Sequence, residues 1–112
     1  MADELSTRSC TPCRGGIPPL TQAEAASHLA QLPDWTLADN GTRIERRFTF
    51  GNFRDALDFV VAVGELAEAQ GHHPDVAFSW GWAKISWQTK EIGGLHENDY
   101  VMAAKTDRLA AG

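Results

Sequence analysis

Pro74 denies helical backbone to the residue before it and pushes His73 into extended geometry. Upstream, Phe53, Ala56, Leu57, Val60, Val61 and Ala67 recur at helical spacing as far as Gln70. A helix capped by Asn52, with Asp55 at its third position, must therefore stop near Gly71, a natural terminator. The chain then leaves as a strand. This fixes the middle of the fold and strands two adjacent imidazoles, His72 and His73, at a helix-to-strand junction.

The flanking segments take their type from the same rules. Thr21-Gln22-Ala23-Glu24 fits a capping box, and Ala25, His28, Leu29 and Leu32 mark one face of a helix that ends before Pro33. His28 is expected at the rim of that helix. Trp35-Thr36-Leu37 reads as a short strand and Asp39-Asn40-Gly41 as a turn. Beyond it Ile44, Arg46, Phe48 and Phe50 share one strand face, and Glu45, Arg47 and Thr49 the other. After Pro74, Val76, Phe78 and Trp80 alternate with small residues, Gly81-Trp82 allows a tight connection, and Ala83, Ile85, Trp87 and Thr89 form the return strand. Residues 97–109 read as a last helix, with His96 at its start placed either to contact the site or to cap the helix.

Hairpins separated by helices predict an α+β two-layer sandwich: a four-stranded antiparallel sheet with helices packed on one face, in the order helix, two strands, helix, two strands, helix. Residues 1–20, rich in Ser, Thr, Gly and Pro, are expected to be a flexible N-terminal tail, and 21–112 the folded domain. The uncovered sheet face and edges favour a homo-oligomer, a homodimer or homotetramer.

Composition removes several function classes. A net charge of −5 with scattered basic residues argues against a nucleic-acid partner. No apolar run approaches the roughly 20 residues needed to span a bilayer, so no membrane partner is expected. The first residues lack the basic and apolar regions of a secretory signal, which leaves the cytoplasm as the default location. Cys10 and Cys13 form a lone CxxC without the second ligand pair that a closed zinc site requires.

Histidine alone can give or take a proton near neutral pH without help from its surroundings. Set in sequence, the pair belongs to a longer pattern: Glu68, three residues, His72-His73-Pro74, five residues, Trp80, nine residues, Lys90, eight residues, Asp99. This pattern resembles the signature of the pterin-4a-carbinolamine dehydratases, as do the stretches PDW at 33–35, FGNFRDALDFV at 50–60 and GLHENDYVMAAKTD at 94–107.

The resemblance implies a hydro-lyase that removes water from a 4a-hydroxytetrahydropterin to give a quinonoid dihydropterin in tetrahydropterin recycling, with no metal and no organic cofactor. It assigns proton transfer to His72, pterin orientation to His73 and the third catalytic position to Lys90. Glu68 is expected to hold His72 by a hydrogen bond. Pro74, Trp80, Thr89 and Trp35 are expected to help form the binding site. One departure stands out. The family pattern has His or Trp where this chain has Lys90, and lysine, with an ordinary pKa about 10.4, is a poor base at neutral pH. That substitution leaves open a pterin- or molybdopterin-related binding protein with reduced or lost dehydratase activity. A regulatory partner, as some animal relatives are, is supported by fold-level analogy alone.

Overall fold

The computed structural model describes Thr7 and residues 19–111. Cys10, Cys13 and most of the expected tail lie outside the described residues. Three α-helices and four strands follow in the order α1 (Gln22–Leu29), β1 (Thr36–Ala38), β2 (Arg43–Thr49), α2 (Phe53–Gln70), β3 (Asp75–Ser79), β4 (Trp82–Trp87) and α3 (Glu97–Ala111), with a short 3₁₀ turn at Lys90–Ile92. The sheet is antiparallel throughout, with strand order β1-β2-β4-β3. This is the α+β layout expected from the hairpin-and-helix alternation. Pro19 and Leu20 already dock on the domain: Leu20 N–H donates to Leu95 O at 2.9 Å, and Leu20 packs against the core.

The helix ends are built as their residues dictate. Thr21 and Glu24 close the capping box of α1, with Thr21 N–H donating to Glu24 at 2.9 Å. Asn52 Oδ1 accepts from Asp55 N–H at 2.8 Å to start α2. Gly71 ends α2 with φ 67, the left-handed conformation that glycine adopts without a Cβ penalty.

One sheet face is apolar and lies under the helices. Ile44 and Phe48 of β2 sit opposite Trp87 and Ala83 of β4, and all are buried with Ile85 in a single core. The phase of α2 matches the expected stripe at Ala56 and Ala67 but not at Phe53 and Val61. Its buried stripe is Ala56, Phe59, Val63 and Ala67, whereas Phe53 and Val61 are 44% and 54% exposed. Apolar residues cover more than half of this helix's circumference, so spacing alone does not decide which side meets the sheet. The second hairpin also turns one residue earlier than expected. Ser79 pairs with Trp82, so the two-residue connection is Trp80-Gly81, and Gly81 carries the positive φ of 84 that such a turn needs. Trp82 is thereby the first residue of β4, not part of the turn.

A polar tie secures the far side of the sheet. Asp107 on α3 accepts from Trp35 Nε1 at 2.9 Å and from Arg46 at 2.6 Å. Burial pushes the Asp107 carboxyl above the ordinary carboxylate value, and the bonds from Trp35 and Arg46 offset this only in part. Replacing Asp107 by Ala should lower unfolding free energy by roughly 1–3 kcal/mol, because an indole N–H and a guanidinium lose their acceptor together. Urea denaturation measures this, and an unchanged midpoint would contradict it.

Candidate functional site

The junction after α2 aims its two imidazoles in opposite directions. Gly71 reverses the helical path, and successive residues of the extended segment that follows face opposite sides. His72 turns inward and is 8% exposed, while the His73 side chain remains 61% exposed. The β3–β4 register extends this geometry. Asp75 pairs with Ser86, which brings the segment after Trp87 alongside the His-His-Pro corner. Gly71, His72, His73, Pro74, Gln88 and Lys90 together line an open cleft of about 170 Å³.

Behind the cleft stands a buried carboxylate. Asp99, in the first turn of α3 and fully buried, lies 2.7 Å from His72 Nε2 through Oδ1. Its Oδ2 accepts from Thr89 Oγ1 at 2.8 Å and from His96 N–H at 2.9 Å. An ionised carboxylate only accepts, so the proton of a neutral His72 belongs on Nε2, which leaves Nδ1 with a free lone pair. The ring is held from a second direction by Trp87, stacked at 5.7 Å between centroids and 10° between planes. Tyr100, next on α3, is pushed up to about 12, first by burial and then by the Asp99 charge. It is therefore a neutral phenol near pH 7 and no candidate for proton transfer there.

His73 belongs to a different pair. Its Nε2 meets Glu68 Oε2 at 2.5 Å on the exposed side of α2. The expected Glu68–His72 bond is thus replaced by a Glu68–His73 bond, because the Gly71 reversal carries His72 away from the helix surface that holds Glu68. Lys90 opens the 3₁₀ turn on the rim of the cleft. Its Nζ is 3.5 Å from Asp75 Oδ1 and its side chain is 69% exposed, so it is not packed beside His72. A closed six-residue loop fixes its position: Thr89 and Gly94 exchange backbone bonds at 3.0 and 3.4 Å.

Among the described residues, no group of three His, Cys, Asp or Glu side chains is arranged to hold a metal ion. No helix among them is long and apolar enough to cross a membrane. A larger hollow of about 630 Å³ lies elsewhere, between α1, the β1–β2 turn and Leu95, but its lining contains no titratable side chain. Of these two hollows, the smaller cleft is the one lined by titratable side chains, His72, His73 and Lys90.

Comparison with known proteins identifies the family. The profile of the pterin 4 alpha carbinolamine dehydratase family matches residues 18–109. The chain belongs to that family. It is 64% identical over 98% of its length to an Aromatoleum aromaticum protein, and 62% identical over its whole length to one from Cupriavidus pinatubonensis; both are named, by inference, pterin-4-alpha-carbinolamine dehydratases, and the matches cover 98% and 97% of those proteins. Among solved structures, a transcriptional coactivator/pterin dehydratase from Brucella melitensis superposes with a TM-score of 0.78 at 29% identity, covering 82% of this chain and 98% of that one. A pterin dehydratase-like protein identified as a RuBisCO assembly factor in the alpha-carboxysome superposes with a TM-score of 0.61 at 25% identity, covering 70% and 92%.

Within this family fold, the expected site residues divide into two groups. His72, His73, Pro74 and Lys90 line the cleft, Thr89 stands behind it on Asp99, and Glu68 flanks it on His73. Trp35 and Trp80 lie elsewhere in the chain. Trp35 is a core residue bonded to Asp107, at the β1 side of the sheet. Trp80 is a 66% exposed turn residue, six positions from Pro74 and so about 20 Å away along β3 at roughly 3.3 Å per residue. Asp99 closed the sequence pattern without an assigned task, and its link to His72 was not foreseen. The available signal was its position three residues after His96: His96 Nδ1 accepts from Asn98 N–H at 3.0 Å, and Asp99 reaches back to His96 N–H as a capping box requires.

The bond to Asp99 fixes a tautomer that can be observed directly. Long-range ¹⁵N–¹H correlation spectra at a pH where His72 is neutral should place its proton on Nε2 and leave Nδ1 bare. A proton on Nδ1 would contradict the assignment.

Proposed function

We propose that this chain dehydrates a 4a-hydroxytetrahydropterin to the quinonoid dihydropterin, with His72 as the proton-transfer group. The observation that carries the reading is a buried imidazole whose Nε2 is committed to Asp99 and which lines an open cleft. In the reaction the C4a–O bond breaks, N5 loses its proton and a C4a–N5 double bond forms. His72 Nδ1 takes the N5 proton and passes it to the departing hydroxyl, which leaves as water. The Lys90 ammonium donates a hydrogen bond to that oxygen as negative charge develops on it. His73, steadied by Glu68, binds and orients the amide edge of the ring. None of these steps draws on a metal or an organic cofactor.

A cleft of about 170 Å³ is smaller than the roughly 300–1,000 Å³ usual for drug-sized ligands. It suits the reacting edge of a bicyclic ring, with the rest of the pterin outside it. The exposed apolar residues Phe53, Val61, Val76 and Trp80 support a further part of the reading, that the protein works as a homodimer or homotetramer. A cytoplasmic location fits a recycling role in tetrahydropterin metabolism.

Steady-state kinetics separate the two histidines. His72→Ala should lower kcat by at least roughly 10²-fold, the low end of general acid–base contributions, while His73→Ala should chiefly raise KM. Near-wild-type turnover in His72→Ala would refute the assignment.

Lys90 is tested by the residue that the family pattern prefers. Its exposure favours a hydrogen-bonding role at the rim over a share in proton abstraction, so Lys90→His should raise the rate near neutral pH. If Lys90→His and Lys90→Ala both leave rate and pterin affinity unchanged, position 90 has no part in the site. A protein that binds pterin tightly but does not dehydrate it would favour the alternative reading, a binding protein that has lost its activity at this position.

A further inference from the structure

The resemblance assigns no function to Trp87, yet its indole is stacked on the His72 ring. It is the last residue of β4 and has no solvent exposure. Its Nε1–H donates to Thr106 Oγ1 at 3.3 Å, and the Thr106 hydroxyl donates in turn to Met102 O at 2.7 Å. The indole is thus pinned in two ways, by strand pairing opposite Ile44 and by a hydrogen-bond chain into α3. The face it offers lies 10° from parallel to the His72 imidazole, with centroids 5.7 Å apart, an offset stack within the range where aromatic pairs attract.

Asp99 fixes one point of the His72 ring, at Nε2, and a single hydrogen bond leaves the ring free to swing about it. The backbone bond from His72 N–H to Ala67 O, 3.2 Å, anchors Cα but not the ring. The plane of the imidazole is therefore set by the surface it lies on. That plane decides where the lone pair of Nδ1 points, and proton transfer is steep in that direction.

We infer that Trp87 is a positioning residue for His72: its pinned indole sets the plane in which Nδ1 meets the pterin and gives a protonated ring an aromatic face to rest on. This inference rests on the proposed function for its catalytic consequence but not for the stacking itself. The charged groups around His72 are Asp99 from α3, the Glu68–His73 pair from the end of α2, Lys90 on the cleft rim and Asp75 at the start of β3. Trp87 adds no charge of its own, so its effect is separable from theirs.

Two measurements test the inference together. An imidazolium quenches the emission of an indole stacked on it, so in the substrate-free protein a pH-dependent component of tryptophan fluorescence should follow the titration of His72. It should vanish in both His72→Gln and Trp87→Phe while the emission of Trp35, Trp80 and Trp82 persists. A component that follows the titration of His72 and survives in Trp87→Phe, or one unchanged by His72→Gln apart from any response of Trp35 to Asp107, overturns the stacking. In dehydration kinetics, Trp87→Leu should lower kcat roughly tenfold with KM nearly unchanged, since geometry and not binding is lost, and Trp87→Phe should recover most of the rate. Thr106→Val, which keeps the indole but releases its Nε1, should fall between them and covers the case in which Trp87→Leu does not fold. A KM effect without a kcat effect, or no change in any folded variant, overturns the positioning role. Absence of dehydration by the wild-type protein would instead refute the proposed function and leave the fluorescence result to judge the stack.

Discussion

A carboxylate without solvent access must be supplied with hydrogen-bond donors, and Asp99 draws them from three separate junctions of the chain. His72 comes from the exit of α2, Thr89 from the segment after β4, and the His96 amide from the entry of α3. One side chain therefore fixes the three places where regular structure stops and the cleft begins. Removing it would strand buried donors, each costly to leave unpaired, in the same spot. The arrangement explains how a chain of 112 residues holds an imidazole rigidly at the edge of a small cleft. The elements supply stiffness, and the buried carboxylate ties their ends together.

The division of labour between the two histidines follows from the same junction. Extended backbone after Gly71 sends one ring into the interior and the other to the surface. The inner ring meets a fixed carboxylate and a fixed indole. The outer ring meets Glu68, itself exposed, across a pair open to solvent on both sides.

Most of the scaffold was legible in the sequence because it is written in local rules. Thr21 with Glu24, Asn52 with Asp55, Gly71 and Pro74 act within a few residues, and each forms the cap or stop that its type dictates. The strand alternation of Ala83, Ile85 and Trp87 likewise names the buried face of β4. What could not be read depends on long-range choices. The facing of α2 is legible only in part: Ala56 and Ala67 are buried as their spacing predicts, but apolar residues ring much of the helix, and only the sheet selects Phe59 and Val63 over Phe53 and Val61. Glu68 was paired with the nearer histidine in sequence, but a left-handed residue between them exchanges near for far. The Asp99–His72 contact joins residues 27 positions apart, which no local periodicity encodes. The hairpin turn slipped by one because Gly81 could serve either position, and the register was decided by pairing with β2.

The most direct test of this account is the rate at which purified wild-type protein consumes 4a-hydroxytetrahydropterin, generated in place by an aromatic amino-acid hydroxylase and followed by absorbance against the spontaneous reaction. Dehydration well above the uncatalysed rate is the predicted result. A protein that binds the pterin but leaves its dehydration at the spontaneous rate would contradict the assignment of the His72–Asp99 cleft as a catalytic site.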